Sequence, residues 1–252
     1  MMRILIYGQS GTGKTTLWAT FPGKILCLIC SGGNKPGELR SVNTPEYRKK
    51  ITPRIIHSTG DFHRALEEAE GFATMVLDHV SSYSDMKLSE IIGKAVPEQK
   101  GWGLATQQQY GQLSMQCKED FRALLNLPCN VVLVGQERTF GGRDDGLDPD
   151  VIKPTVGVAL TPSLTGWLNP AVDYIAQTFK SPKMKVEEVT VAGKKSRIET
   201  RERGVEYCLR VGAHDVFTTK FRTPVKDGFT LPEYIINPTY EKILRLTRGE
   251  SV

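Results

Sequence analysis

No apolar run in this 252-residue sequence approaches the roughly 20 residues that a membrane-spanning helix needs. No charged leader followed by a long apolar stretch opens the chain either; "MMRILIYG" runs straight into a glycine-rich segment, so the expected setting is cytoplasmic, with no membrane partner. Histidine is scarce, at four residues, and no two stand at metal-ligand spacing. The five cysteines are an odd number. Cys27 and Cys30 show C-x-x-C spacing, but they sit in "KILCLIC", which reads as a strand, where residues three apart face opposite sides. Buried thiols are therefore predicted, with no zinc and no disulfide. No internal repeat is visible. Nor is there much excess of one charge: 33 Lys and Arg against 28 Asp and Glu leave +5, which permits nucleic-acid binding without establishing it. The excess is concentrated between Lys180 and Arg203, which holds eight Lys/Arg against four Glu.

What the sequence does have is "GQSGTGKTTL", directly after the apolar strand "RILIY". Gly8, four residues, then Gly13, Lys14 and Thr15 fit the phosphate-loop pattern. Glycines let the backbone turn tightly and aim successive N–H groups at phosphate oxygens. The candidate nucleotide-binding residues are Gly8, Gln9, Ser10, Gly11, Thr12, Gly13, Lys14, Thr15 and Thr16. Lys14 is placed to reach the β- and γ-phosphates, and the Thr15 hydroxyl to ligate Mg²⁺. ATP and Mg²⁺ are the expected ligands. "FATMVLD" supplies a second metal partner, Asp78, at the end of a buried strand. "VVLVGQERTF" ends a further apolar strand with Gln136 and Glu137 where a γ-phosphate sensor could sit, Gln136 ahead of Glu137. In "TTKFR", Lys220 and Arg222 stand two apart on a predicted strand and share a face. They are either solvated surface or finger residues reaching a neighbouring subunit's nucleotide.

Strands alternating with helices predict an α/β fold with a mainly parallel sheet covered on both faces. Strands are expected at "RILIY", "KILCLIC", "RIIHS", "FATMVLDHV" and "NVVLVGQE". Helices are expected after the phosphate loop, over "DFHRALEEAEG" with Asp61 as its N-cap, over "SYSDMKLSEIIGKAV", and over "TQQQYGQLSMQCKEDFRALLNL". "SGGNKPGELRSVNTPEY" and residues 139–166 read as loop, and "WLNPAVDYIAQTF" as a helix. The β-rich stretch "KMKVEEVTV", "SRIETRERGVEYCLRV" and "DVFTTKFR" reads as an antiparallel extension, followed by a turn and a short helix. One domain is expected over 1–252, with a nucleotide-binding core over 1–180, the β extension over 181–222 and a tail over 223–252.

The order of "GQSGTGKTTL", "FATMVLDHVSSY", "VVLVGQERT", "LTPSLTGWLNPAVDYIAQTF" and "LRVGAHDVFTTKFR" resembles the RecA superfamily, and more closely its phage-encoded, core-only ATPases of single-strand annealing and recombination. The likeness implies an ATP-hydrolysing homo-oligomer on single-stranded DNA, acting in the host cytoplasm. It also implies a Lys-x-Arg finger, here Lys220 and Arg222, and DNA-binding loops near 97–109 and 139–165. Trp102, Tyr110, Phe140 and Trp167 with Lys94, Lys100, Arg138, Arg143 and Lys153 suit base stacking beside cations, with loop or core packing preferred for Trp167. Asp144, Asp145, Asp148 and Asp150 oppose phosphate tracking. The superfamily's water-activating glutamate is missing: its position falls at Ser31, and Glu38 or Glu137 would have to substitute, or turnover would be slow. With the first strand beginning at residue 3, any ring or filament is expected to be built from core surfaces. Two rival readings are a P-loop small-molecule kinase and a non-hydrolysing nucleotide-dependent scaffold recruiting single-strand-binding protein.

Overall fold

The apolar runs become the inner strands of a single sheet. The computed structural model describes residues 1–30, 37–95, 105–142, 153–191 and 194–252. The strands β1 (Arg3–Gly8), β2 (Ile25–Ile29) and β4 (Thr74–Asp78) are buried along almost their whole length, as parallel strands covered on both faces must be. With β3 (Ile51–Ile55), β5 (Asn130–Gly142) and β7 (Tyr174–Val191) they form a parallel core ordered β7-β1-β5-β4-β2-β3. Antiparallel strands extend it. The strand β8 (Lys194–Arg210) pairs with β7, β10 (Tyr234–Ile236) with β8, β9 (Lys220–Phe221) with the start of β7, and β6 (Lys153–Val158) with the outer part of β5.

Strand alternation sorts the core into two layers. Leu5, Tyr7, Met75, Leu77, Val131 and Leu133 face α3 (Thr59–Glu67), α4 (Val80–Ala95), α5 (Gln107–Leu125) and α6 (Pro162–Ala171), which contribute Phe62, Tyr83, Phe121 and Leu168. Ile4, Ile6, Val76, Val132 and Val134 face α1 (Lys14–Ala19), the 3-10 helix Gly37–Val42 and α7 (Tyr240–Thr247), which contribute Trp18, Val42 and Ile243. The helix α2 (Pro45–Lys50) buries no residue. Cys27 belongs to one layer and Cys30 to the other, as strand alternation requires, and all five cysteines are buried and form no disulfide.

"DYIAQTF" is strand, not helix: α6 stops at Ala171, and β7 runs beside β1 from Tyr174. Pro170 inside the last turn and Val172 after it end the helix, and the β-branched and aromatic residues that follow suit a buried strand. The 139–166 stretch is not all loop, because β5 continues to Gly142 and folds against β6. "GELRSVNTPEY" holds the 3-10 helix and α2. "DVFTTKFR" contributes only the two residues of β9 and a bridge from Phe217 to Val156. "YII" near the end is the edge strand β10. The N-cap of α3 is Ser58, whose hydroxyl accepts from the Asp61 amide at 3.1 Å, while the Asp61 carboxylate accepts from the His57 amide.

Between α3, α4 and α5 lies a buried polar cluster. The Asp120 carboxylate accepts from the Lys87 ammonium, from the Tyr83 hydroxyl at 2.6 Å, and meets His63 Nε2 at 2.8 Å. The side chains of Lys87 and Asp120 are only 4% and 6% exposed. Burial pushes the Asp120 carboxyl up, but the bonds from Lys87, Tyr83 and His63 outweigh it and hold the group below the ordinary carboxylate value.

Candidate functional site

The site is built where β1 ends. Gly8 closes the strand, residues 9–13 form the loop, and Lys14 opens α1. Gly13 is the N-cap of that helix at φ 90°, a left-handed conformation costly for any residue with a Cβ. At Gly8 the constraint is space: a Cβ there would lie 2.4 Å from the Thr178 carbonyl oxygen of β7. Gly8→Ala must push two paired inner strands apart at the loop. The expected result is a loss of about 1–3 kcal/mol of stability, typical of overpacking, with weakened nucleotide binding, read by urea denaturation and nucleotide titration.

The loop is tied down from below. Thr12 Oγ1 donates to the Gln9 carbonyl at 2.7 Å and shares a second 2.7 Å bond with Thr178 Oγ1. Lys14 is buried, and its Nζ donates to the Gly8 and Gln9 carbonyls, each at 2.7 Å. Burial pushes the Lys14 ammonium below its ordinary pKa, and the carboxylates of Asp78 and Glu137 partly offset this. A phosphate in the loop offers the same ammonium charged acceptors, which form shorter and stronger bonds than neutral carbonyls.

Lys14, Thr15, Thr16, Ser10, Gly11, Gly13, Asp78, His79, Gln136, Ser41 and Tyr207 line one cavity of about 430 Å³. Asp78 ends β4 on the α1 face, buried, with Oδ2 accepting from Trp18 Nε1 at 3.1 Å. The indole orients the carboxylate toward the cavity shared with Thr15. A hydroxyl and a carboxylate on one wall, completed by phosphate oxygens, are a donor set that suits Mg²⁺, which takes few protein ligands.

Parity separates the two sensor candidates. Gln136 continues the α1-facing register of Val132 and Val134 and reaches the cavity wall. Glu137 faces the other way. Its Oε1 accepts from Gln9 Nε2 at 3.3 Å and its Oε2 from Gln177 Nε2 at 2.8 Å. Gln177 Oε1 in turn accepts from Arg210 Nε at 3.2 Å, and Arg210 pairs with Glu233. The Arg210 guanidinium lies between the rings of Phe179 and Phe217, 4.8 Å from each centroid. Of the two expected substitutes for the missing glutamate, Glu137 is thus held by Gln9 and Gln177, and the side chain of Glu38 lies outside the described residues, as does Ser31.

Lys220 and Arg222 lie at the opposite end of the sheet, where β9 pairs with the first residues of β7. Lys220 Nζ donates to the carbonyls of Asn169, Pro170 and Val172, closing the end of α6, and burial lowers its pKa. Arg222 pairs with Asp173 at 3.2 Å. Trp167 packs partly buried against the core with Arg122 over its ring. Tyr110 is exposed on α5, and Trp102, Lys100, Arg143 and the four aspartates lie outside the described residues. Thr178, Gln177, Lys180 and Tyr207 were missed by sequence reasoning, because reading "DYIAQTF" as helix removed β7 from the side of the loop. The β-branched and aromatic content of that segment was the available signal.

A glycine loop after the first strand, with lysine, threonine and a buried aspartate opening on one cavity beside a mainly parallel sheet, defines a P-loop nucleoside triphosphatase. Residues 1–223 match the AAA_24 family, described as an AAA domain, and the chain belongs to that family. Nucleotide binding and hydrolysis are the activities of this class. Comparison with curated proteins finds no match. Among solved structures, an ATPase from the type III secretion system of pathogenic bacteria is similar at 14% identity and a TM-score of 0.45, covering 70% of this chain and 50% of that one. At that distance the likeness carries no argument. In the described residues no helix is long and apolar enough to cross a membrane.

Proposed function

We propose that the chain is an ATP- and Mg²⁺-dependent ATPase that works as a homo-oligomer on single-stranded DNA, in recombination or strand annealing. The observation that carries this reading is the course of β5. Its Gln136 lines the phosphate cavity, and two residues on, past Glu137, the same strand presents Arg138 and Phe140 with the guanidinium 5.5 Å from the ring centroid. These two residues are two apart on a strand and share a face. A ring beside a cation is a stacking platform for bases next to a backbone phosphate. A bound strand and a γ-phosphate would thus act on one rigid element from its two ends. The resemblance read from the sequence supports the same assignment.

In this reading Lys14 and the loop amides hold the phosphates, Thr15 and Asp78 hold Mg²⁺, which neutralises charge on the phosphate oxygens, and Gln136 senses the terminal phosphate. Of the proposed finger pair, Lys220 is engaged with α6, so Arg222, 62% exposed in its side chain, is the member free to reach a neighbouring subunit by leaving Asp173. The test is ATP turnover with and without single-stranded DNA. DNA-stimulated turnover is expected, and Arg138→Ala with Phe140→Ala should raise the DNA concentration needed for half-stimulation by about tenfold or more, since stacking is worth about 1–3 kcal/mol per base. Turnover indifferent to DNA would sink the DNA assignment and leave the ATPase.

A further inference from the structure

The strands β7 and β8 outrun the sheet. The register of β1 against β7 ends at Gly8 opposite Thr178, whereas β7 and β8 stay paired out to Val191 and Lys194. The hairpin therefore continues past the C-terminal edge of the sheet, on the side where the phosphate loop sits. Its first residues beyond that edge lie on the loop. Lys180 and Tyr207 are directly opposed across the two strands. Both follow the α1-facing register, Lys180 that of Ala176 and Tyr207 that of Leu209. The Tyr207 ring covers Gly13: a Cβ on that glycine would lie 3.0 Å from Tyr207 Cδ1 and 3.5 Å from Cγ. Lys180 Nζ stands 6.0 Å from the Tyr207 ring centroid and 3.5 Å from where a Cβ on Gly11 would be. A second ammonium thus stands beside Gly11 of the loop, on a different element from Lys14.

We propose that Lys180 is a phosphate-binding residue supplied by the hairpin of the same chain, held over the loop by Tyr207. The inference rests on the phosphate-loop reading and extends it. Lys14 approaches the phosphates from beneath the loop, and Lys180 closes on them from above. Glycine at 13 leaves room for the Tyr207 ring as well as for the turn. The hairpin then has a role in the nucleotide site, and the lysine reports on the phosphate chain rather than on the base.

The experiment is a titration of the whole chain with fluorescent ATP at several salt concentrations, for wild type, Lys180→Ala, Lys180→Arg and Lys14→Ala, with thermal melts taken without nucleotide. Lys180→Ala is expected to weaken ATP binding by about tenfold to a hundredfold, the range for a hydrogen bond to a charged group. It should also flatten the dependence of affinity on salt, and Lys180→Arg should restore both. Its melting temperature should stay at the wild-type value, because Lys180 is exposed. ATP binding by Lys180→Ala within twofold of wild type, with an unchanged salt slope, while Lys14→Ala loses binding, would overturn the proposal and leave the phosphate loop intact. Retention of binding by Lys14→Ala would overturn both readings.

Discussion

Lys14→Ala is expected to abolish measurable ATP turnover and to weaken nucleotide binding by about tenfold to a hundredfold. The size follows from where the ammonium sits. It is buried, it is held by two loop carbonyls, and it shares the cavity with Thr15, Asp78 and Gln136. Among the described residues that line the cavity, Lys14 is the only lysine or arginine, so its loss removes the cation that meets the β- and γ-phosphates there. The variant should still fold, because alanine leaves two carbonyls that a water can reach from the cavity. Nucleotide titration and steady-state hydrolysis check the two halves separately. Binding lost with a wild-type melting curve is the expected pattern. Full turnover would show that Lys14 does not touch the transferred phosphate.

Lys87→Met is expected to cost about 3–5 kcal/mol of folding stability, the usual penalty for stranding one charge of a buried pair. Asp120 would keep Tyr83 and His63 but lose the cation that neutralises it. The pH dependence has a definite sign. In the wild type the Asp120 pKa lies below its ordinary value, so its contribution is present above that value and is lost as pH falls through the folded-state pKa. In Lys87→Met the offsetting cation is gone, and the upward push of burial is opposed only by the bonds from Tyr83 and His63. The variant's deficit should therefore shrink as the solution is acidified and Asp120 takes up a proton. Urea denaturation at pH 7.5 and pH 5 reads the difference. A double variant with Asp120→Leu should regain much of the loss, since removing both partners can be nearly neutral. An equal deficit at both pH values would mean that the cost is packing and not charge.

How much of this was legible in the sequence depended on the range of the interaction. The phosphate loop, its lysine and Asp78 are written locally: a glycine spacing, and an acid ending an apolar run. The inner strands β1, β2, β4 and β5 were readable because strands buried on both faces are continuously apolar. The strand β7 was not, because "WLNPAVDYIAQTF" carries a helix and a strand with two residues between them, and only pairing with β1 decides which half is which. Gln136 and Glu137 are adjacent candidates in the sequence, and parity from Val132 and Val134 tells them apart once the faces are known. Lys220 and Arg222 were expected to share a strand face, but β9 ends at Phe221, and the closing of α6 by the lysine depends on contacts about 50 residues away in the chain. Lys180 and Tyr207 are 27 residues apart in "KSPK…VEYC" and meet only through the hairpin register.

The string of side chains from Gln9 to Glu233 carries a sense of direction. Arg210 can only donate, and Glu137, as a carboxylate, can only accept. Gln177 stands between them, so its amide has a single permitted orientation, oxygen to the arginine and nitrogen to the glutamate. A flipped amide would set oxygen against oxygen at one end and nitrogen against nitrogen at the other. The Gln177 side chain is thus locked as a one-way connector, and the orientation it imposes on Glu137 is inherited from Arg210 of β8, clamped between two phenyl rings on the same face of the sheet. Glutamate at 177, although the same size, would face Glu137 with like charge and break the string at its centre.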